Sequence, residues 1–370
     1  MKHIRLAKPI FSESDILEIN RNIRSVLASG WLTTGEFAER LESRFRKEVE
    51  TRYAVSMNSG TAALHTMIAW LRLKPGEEVV VPANTFASTA NAVLYEGGKV
   101  VLADCDLDSF NVTADSLVEK ITGKTRAIVV THVGGNPCDM REIVDICEER
   151  KIHLFEDAAH ALGSTYRGQK CGSFGSGAAF SLYPTKVVTS GEGGMLTTNS
   201  KDLAGFAQLF RNVGRHSIGA GPIEILGHNY RMSDIHAVVG LNQMKHLSEF
   251  IAKRNELAHS YARGLKRIGW IKPQVITAQG RSSYYAYIVR LVKESPVSRD
   301  ALVEGLKNRG VETTVMFRPL HSQPYFRGRG TFSCPNAEAL GRESLVLPLH
   351  VGMTNRDVEY VINAIEELAL

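Results

Sequence analysis

Lys186 stands in Ser181-Leu182-Tyr183-Pro184-Thr185-Lys186, after an apolar run and a proline, with Val187 and Val188 behind it. A lysine amine in apolar company and short of water becomes a nucleophile able to form a Schiff base, whereas most lysines are solvated charges. Upstream, His153-Leu154-Phe155-Glu156-Asp157-Ala158-Ala159-His160 ends an apolar run in acid and then in small residues. In open α/β sheets ligands gather at the carboxyl ends of strands, where Asp157 would lie, and a buried carboxylate there requires a cationic or hydrogen-bonding partner. A helix cap is the plainer reading of Asp157, and a satisfied polar side chain that of His160. Earlier still, Asn58-Ser59-Gly60-Thr61-Ala62-Ala63-Leu64 leads a small-residue turn into a helical pattern. Free amides at such a start could hold an anion, or Ser59 or Thr61 could simply cap the helix. The order of anion loop, strand-end acid and lysine favours the Schiff-base reading of Lys186 over the solvated charge.

The elements that must position these residues are legible as short apolar runs at 79–82, 100–104, 127–131, 153–156, 178–182 and 194–198, alternating with helical patterns. That alternation is the signature of βαβ units and a mostly parallel sheet. Leu64, Met67, Ile68 and Leu71 recur at the spacing of one helix face, which would pack on it. After Asn229 a proline-free helical stretch over 234–265 reads as a connector. Beyond it the sequence predicts a strand at 285–292, a helix at 299–309 closed by Gly310, and a strand at 311–317. A last helix starts at a Thr354-x-x-Asp357 capping box and buries Val358, Val361, Ile362 and Ile365. The expected division is a large domain over 1–245, with its N-terminal segment near the substrate site, and a small α+β domain over 246–370.

Composition narrows the function classes. A chain of 370 residues, 44% hydrophobic and 22% charged, has ample core for two or three domains and is neither disordered nor fibrous. The net charge of +5 contains no long block of one sign, which suits an anionic small ligand better than a nucleic acid. Cys105, Cys138, Cys147, Cys171 and Cys334 are scattered and include no C-x-x-C pair, arguing for packing residues in a reducing compartment. With no apolar leader or long apolar run, a cytoplasmic protein is expected. Gly123-Lys124-Thr125 lacks the first glycine of a phosphate-binding loop and reads as a surface turn, and Gly175-Ser176-Gly177 lacks the third glycine of a dinucleotide fingerprint. Nothing points to NAD, ATP, zinc or another metal.

The set Gly60-Thr61-Ala62-Ala63-Leu64-His65, Glu156-Asp157-Ala158-Ala159-His160, Ser181-Leu182-Tyr183-Pro184-Thr185-Lys186 and Asn229-Tyr230-Arg231-Met232 resembles the DegT/DnrJ/StrS family of pyridoxal-phosphate sugar aminotransferases. The similarity runs nearly end to end, from Ser29-Gly30-Trp31-Leu32-Thr33-Thr34-Gly35 to Leu347-Pro348-Leu349. It implies a fold type I architecture, with a mostly parallel seven-stranded sheet in the large domain. It also implies pyridoxal 5'-phosphate bound through Lys186, with Asp157 against the ring nitrogen and Phe86 stacked on the ring. Gly60 and Thr61 amides and the Ser181 hydroxyl would cradle the phosphate. Asn229 would reach the phosphate of a second subunit, making a homodimer with shared sites. His160 stands where many members have Gln, and either can donate to the cofactor's phenolic oxygen. The implied reaction moves an amino group from L-glutamate to a keto sugar nucleotide, with the small domain and the loop around Trp31 bordering the sugar.

Rival readings are a sugar dehydratase, against which Lys186 speaks because those relatives carry His in its place, an amino-acid aminotransferase or lyase, and a non-catalytic regulator. Arg318 and His321 could meet a diphosphate or a carboxylate, but a surface salt bridge explains the arginine equally well.

Overall fold

In the computed structural model the described residues are 2–217, 221–327 and 332–369, and the structural statements below concern them. The first strands are β1 (Tyr53–Met57), β2 (Glu78–Pro82), β3 (Lys99–Ala103), β4 (Thr125–Thr131) and β5 (His153–Asp157). They are followed by β6 (Thr165–Tyr166), β7 (Gln169–Lys170), β8 (Gly177–Ser181), β9 (Gly194–Thr198) and β10 (Ile271–Pro273). The last are β11 (Gly280–Arg281), β12 (Tyr287–Leu291) and β13 (Ser344–Leu347).

Seven strands form one sheet in the order β1-β9-β8-β5-β4-β2-β3. It is parallel except for β9, which runs against both of its neighbours. The middles of the central strands, Val79–Val81 in β2 and Ala127–Val130 in β4, are apolar on successive residues because both faces are covered. Val79 and Val81 join the core under the helix Gly60–Trp70, while Val80, Ile128 and Val130 join a separate cluster with Met140 and Ile143. The six predicted strands of this sheet all occur. The seventh, β1, escapes the hydrophobic pattern because Ser56 in its middle is polar, buried, and bonded to Glu42 and Arg211.

The sheet β10-β12-β13 carries its own core with the helices Leu247–Leu265, Arg299–Asn308 and Asn355–Glu367. The last of these helices has the predicted capping box, Thr354 and Asp357 each bonding the other's backbone amide. Two expectations need correction. The helical stretch over 234–265 is two helices, Asp234–Gln243 and Leu247–Leu265, because the amides of Lys245 and His246 bond three residues back and the His246 ring turns to Asp15 at 2.8 Å. The segment 311–317 is no strand. It makes two isolated bridges, Val311 to Ile4 and Thr314 to Val346, and crosses from the small sheet to the cavity described next.

Candidate active site

A cavity of about 520 Å³ opens beyond the carboxyl ends of β4, β5 and β8, whose final residues Thr131, Asp157 and Ser181 lie in its wall. Every predicted site residue lines it except Asn229.

One end is built to receive an anion. Ser59 caps the helix Gly60–Trp70, taking the Ala62 amide on its hydroxyl at 3.1 Å and the Ala63 amide on its carbonyl at 3.3 Å. Capping and anion binding are therefore compatible, since the first-turn amides of Gly60 and Thr61 have no intrahelical acceptor and both residues border the cavity. Gly60 is closely approached: a β-carbon there would lie 3.0 Å from Ser181 Cβ and 3.2 Å from the Phe180 carbonyl oxygen, tighter than ordinary contact. Closer still, a β-carbon on Gly194 would stand 2.2 Å from the Ser59 carbonyl oxygen.

The acid is buried. Asp157 accepts the Thr89 hydroxyl at 2.7 Å and the Ala159 amide at 3.2 Å, the hydrogen-bonding partners its position requires. Burial nonetheless pushes its carboxyl above the usual range, against the Thr89 and Ala159 bonds and the charge of Lys186. Two donors leave much of a carboxylate's accepting capacity unused.

His160 is set by stacking and one bond. Its ring lies 4.1 Å from that of Tyr285 and 5.7 Å from that of Phe317, nearly parallel to both. Gly134 donates its amide to Nδ1 at 3.4 Å, which assigns the ring hydrogen to Nε2. Burial, with the charges of Lys186 and His132, holds the imidazole well below its ordinary value, so His160 is a neutral donor.

Lys186 sits half-buried in the turn after β8, its amide bonded to the Tyr183 carbonyl at 2.9 Å. Its Nζ lies over the Tyr285 ring, 4.3 Å from the centroid. Phe86 occupies the N-cap position of the helix Ala87–Tyr95 and stands 61% exposed at the cavity rim, an apolar face that calls for a covering group. Asn229 is exposed and pairs with Asn212. Arg318 is exposed and His321 bonds Glu338 at 3.0 Å, and neither borders the cavity, although Met316 and Phe317 just before them do. Trp31 is also exposed and outside the wall.

Sequence reasoning missed Thr89 and Tyr285. The hydroxyl-rich run Thr85-Phe86-Ala87-Ser88-Thr89 was a signal for the first, because Thr131, Thr85 and Thr89 form a chain of hydroxyls ending on Asp157. Tyr285 carried no local signal.

A profile of the DegT/DnrJ/EryC1/StrS aminotransferase family matches residues 14–366. A GDP-perosamine synthase from Caulobacter vibrioides is 37% identical over 341 residues, covering 91% of this chain and 92% of that protein. The crystal structure of an aminotransferase, TlmJ, from Streptoalloteichus hindustanus superposes with a TM-score of 0.92 at 33% identity, covering 99% of this chain and 98% of that one. A putative sugar aminotransferase, Spr1654 from Streptococcus pneumoniae, in its PLP form, gives 0.92 at 28% identity, covering 100% and 99%.

Proposed function

The chain belongs to the DegT/DnrJ/EryC1/StrS aminotransferase family, and on that premise we propose that Lys186 and Asp157 carry a transfer of an amino group from L-glutamate to a keto sugar nucleotide. It is a sugar aminotransferase that uses pyridoxal phosphate. When bound, that cofactor supplies a carbonyl carbon to bond amines and a ring to take up electrons from the substrate.

The residues present fit the group. Asp157 is a buried carboxylate with unused acceptor capacity, suited to a protonated ring nitrogen, which would bring a cation into direct contact with it. The amides of Gly60 and Thr61, with the Ser181 hydroxyl, provide a phosphate cradle at a helix start. His160, neutral and carrying its hydrogen on Nε2, would donate to an oxygen on the cofactor ring. Phe86 would cover a flat ring, and the ring would cover Phe86. Lys186 would hold the cofactor through its carbonyl carbon, give way to the incoming donor, and carry a proton between the two carbons that flank the linking nitrogen, as general base and then acid.

The observation that carries this reading is the gathering of Lys186, Asp157 and the Gly60–Thr61 amides around one cavity. We assign the large domain to 1–245 and the small one to 246–370, supported by the separate core around β10, β12 and β13. We also assign a homodimer in which Asn229 serves the partner's phosphate. Its position outside its own chain's cavity supports this, as do the exposed apolar side chains of Val213, Ile223 and Leu226 nearby in the chain. A cytoplasmic setting fits five buried, unpaired cysteines. Among the described residues no helix is long and apolar enough to cross a membrane.

The test is chemical. The purified protein is expected to be yellow, to lose its visible band on adding glutamate, and to carry the cofactor on the Lys186 peptide after borohydride reduction. An adduct elsewhere, or none, overturns the site assignment. A panel of keto sugar nucleotides with glutamate then identifies the acceptor, and no turnover with any of them overturns the substrate class.

A further inference from the structure

Tyr285 reaches the cavity from the far end of a turn that is held under strain. Tyr284 has a φ of 47°, left-handed backbone that a side chain disfavours. Nη1 of Arg254, on the helix Leu247–Leu265, donates to the carbonyls of Tyr284 at 3.1 Å, Tyr285 at 3.2 Å and Leu349 at 2.9 Å. The Ser283 amide donates to Ser164 Oγ at 3.0 Å, its hydroxyl to the His160 carbonyl at 3.2 Å, and the Ala286 amide to the Gly134 carbonyl at 3.2 Å. Arg254 is buried, so its charge is committed to this turn. The ring so placed touches three parts of the site: Lys186 Nζ at 4.3 Å from its centroid, the His160 ring at 4.1 Å, and, through its hydroxyl, Thr185 Oγ1 at 3.2 Å.

We propose that Tyr285 is a positioning residue for Lys186, its ring stabilising the charge that the lysine amine gains on taking a proton from the substrate carbon. This rests on the reading of Lys186 as the proton carrier. In that step the Nζ lone pair bonds the proton, the amine becomes an ammonium, and the electron pair of the broken C–H bond stays with the carbon and its conjugated system. The ammonium would then return the proton to the carbon on the other side of the linking nitrogen, so the lysine ends as it began. An aromatic face favours ammonium over amine. It therefore lowers the barrier to proton abstraction, where charge grows on Nζ. The same preference slows first capture of the cofactor, which requires the neutral amine. A ring that merely filled space would move both rates in one direction.

Phenylalanine, trifluorophenylalanine and pentafluorophenylalanine at position 285 keep the shape while removing the negative ring face by degrees. Relative to Tyr285→Phe, the pentafluoro chain is expected to lose about twofold to thirtyfold in kcat, the range of one cation–π contact, with KM little changed. Its apoprotein is expected to capture added pyridoxal phosphate faster, by a similar factor at fixed pH. The trifluoro chain falls between, and melting temperatures stay level across the series. Tyr285→Leu, which removes the face by another route, must give the same opposed signs, so a poorly folding fluorinated chain does not rescue the proposal. A flat series, or both rates falling together, overturns it. Lys186→Ala, measured alongside, separates the two readings: turnover in that variant sinks the role of Lys186, whereas a dead Lys186→Ala with a flat fluorine series sinks only that of Tyr285.

Discussion

Thr89 donates its hydroxyl to the buried carboxylate of Asp157 across 2.7 Å, tying the helix after β2 to the carboxyl end of β5. Thr89 in turn exchanges a hydrogen bond with Thr85 at 2.9 Å, and Thr85 with Thr131 at 2.8 Å. The chain of hydroxyls orients the acid without neutralising it. A lysine or arginine in place of Thr89 would satisfy Asp157 permanently and leave it nothing to offer a ring nitrogen. The site thus keeps an under-satisfied carboxylate, a form of local instability held for use.

That instability is measurable. The Asp157 carboxyl sits above its ordinary 3.8 in the folded chain, so folding favours the protonated form. Its ionisation therefore adds an unfavourable contribution that is absent below the unfolded value and grows as pH rises through the folded one. Asp157→Asn removes that contribution. The variant apoprotein is expected to melt higher than wild type at neutral pH, by a few degrees for each ~1 kcal/mol, with the difference shrinking toward pH 4. Its kcat is expected to fall by about 10²–10³, since the ring nitrogen loses its anion. Calorimetry of the two apoproteins across pH checks the first part. A wild-type apoprotein more stable than the variant at pH 7 contradicts it.

Lys186→Ala removes both the covalent attachment point and the proton carrier. Positioned proton transfer accounts for about 10²–10⁴ of rate, so single-turnover amination is expected to slow by at least that factor. Lys186→Arg keeps a charge but not a nucleophile and is expected to be equally slow. The visible spectrum of each variant with added cofactor is the companion measurement, and neither should show a band that borohydride can fix to the protein.

The phosphate cradle depends on a glycine outside it. Gly194 begins β9, and a β-carbon there would meet the Ser59 carbonyl at 2.2 Å and the Gly60 nitrogen at 2.6 Å, both backbone atoms. Gly194→Ala is expected to destabilise the fold by about 3 kcal/mol, in the range of overpacked cores, and to weaken cofactor retention by displacing the helix start. Gly205→Ala is the control: it lies in the helix Lys201–Phe210 with nothing near the added carbon, and should stabilise by about 0.5–1 kcal/mol. Equal effects from the two substitutions would contradict the close-approach argument.

The parts of this site visible in the sequence are those that short-range chemistry marks. Asp157 and Lys186 stand at the ends of apolar runs, and Gly60 stands where a turn enters a helix, so period and punctuation locate them. Tyr285 lies in an ordinary Ser-Ser-Tyr-Tyr run, and its place beside Lys186 depends on Arg254 and on Gly134, which are distant in the chain. The break between Gln243 and Leu247 is likewise set from afar, by Asp15 on the first helix. Edge strand β1 hides because its polar Ser56 is satisfied by Arg211 and Glu42, partners that only the fold supplies.

Asn229 provides the sharpest test of shared sites. If it serves the partner's phosphate, a chain with Lys186→Ala and a chain with Asn229→Ala are each inactive as homodimers. A hybrid of the two has one site lacking both groups and one with Lys186 from one subunit and Asn229 from the other. That second site is intact. Co-refolding equal amounts is expected to recover about a quarter of wild-type activity, since half the dimers are hybrid and half their sites are whole. If Asn229 instead acts within its own chain, each site of the hybrid lacks one group and mixing restores nothing. Activity measured against the mixing ratio, peaking at equal amounts, distinguishes the two arrangements, and a profile that stays at the baseline overturns the intersubunit role.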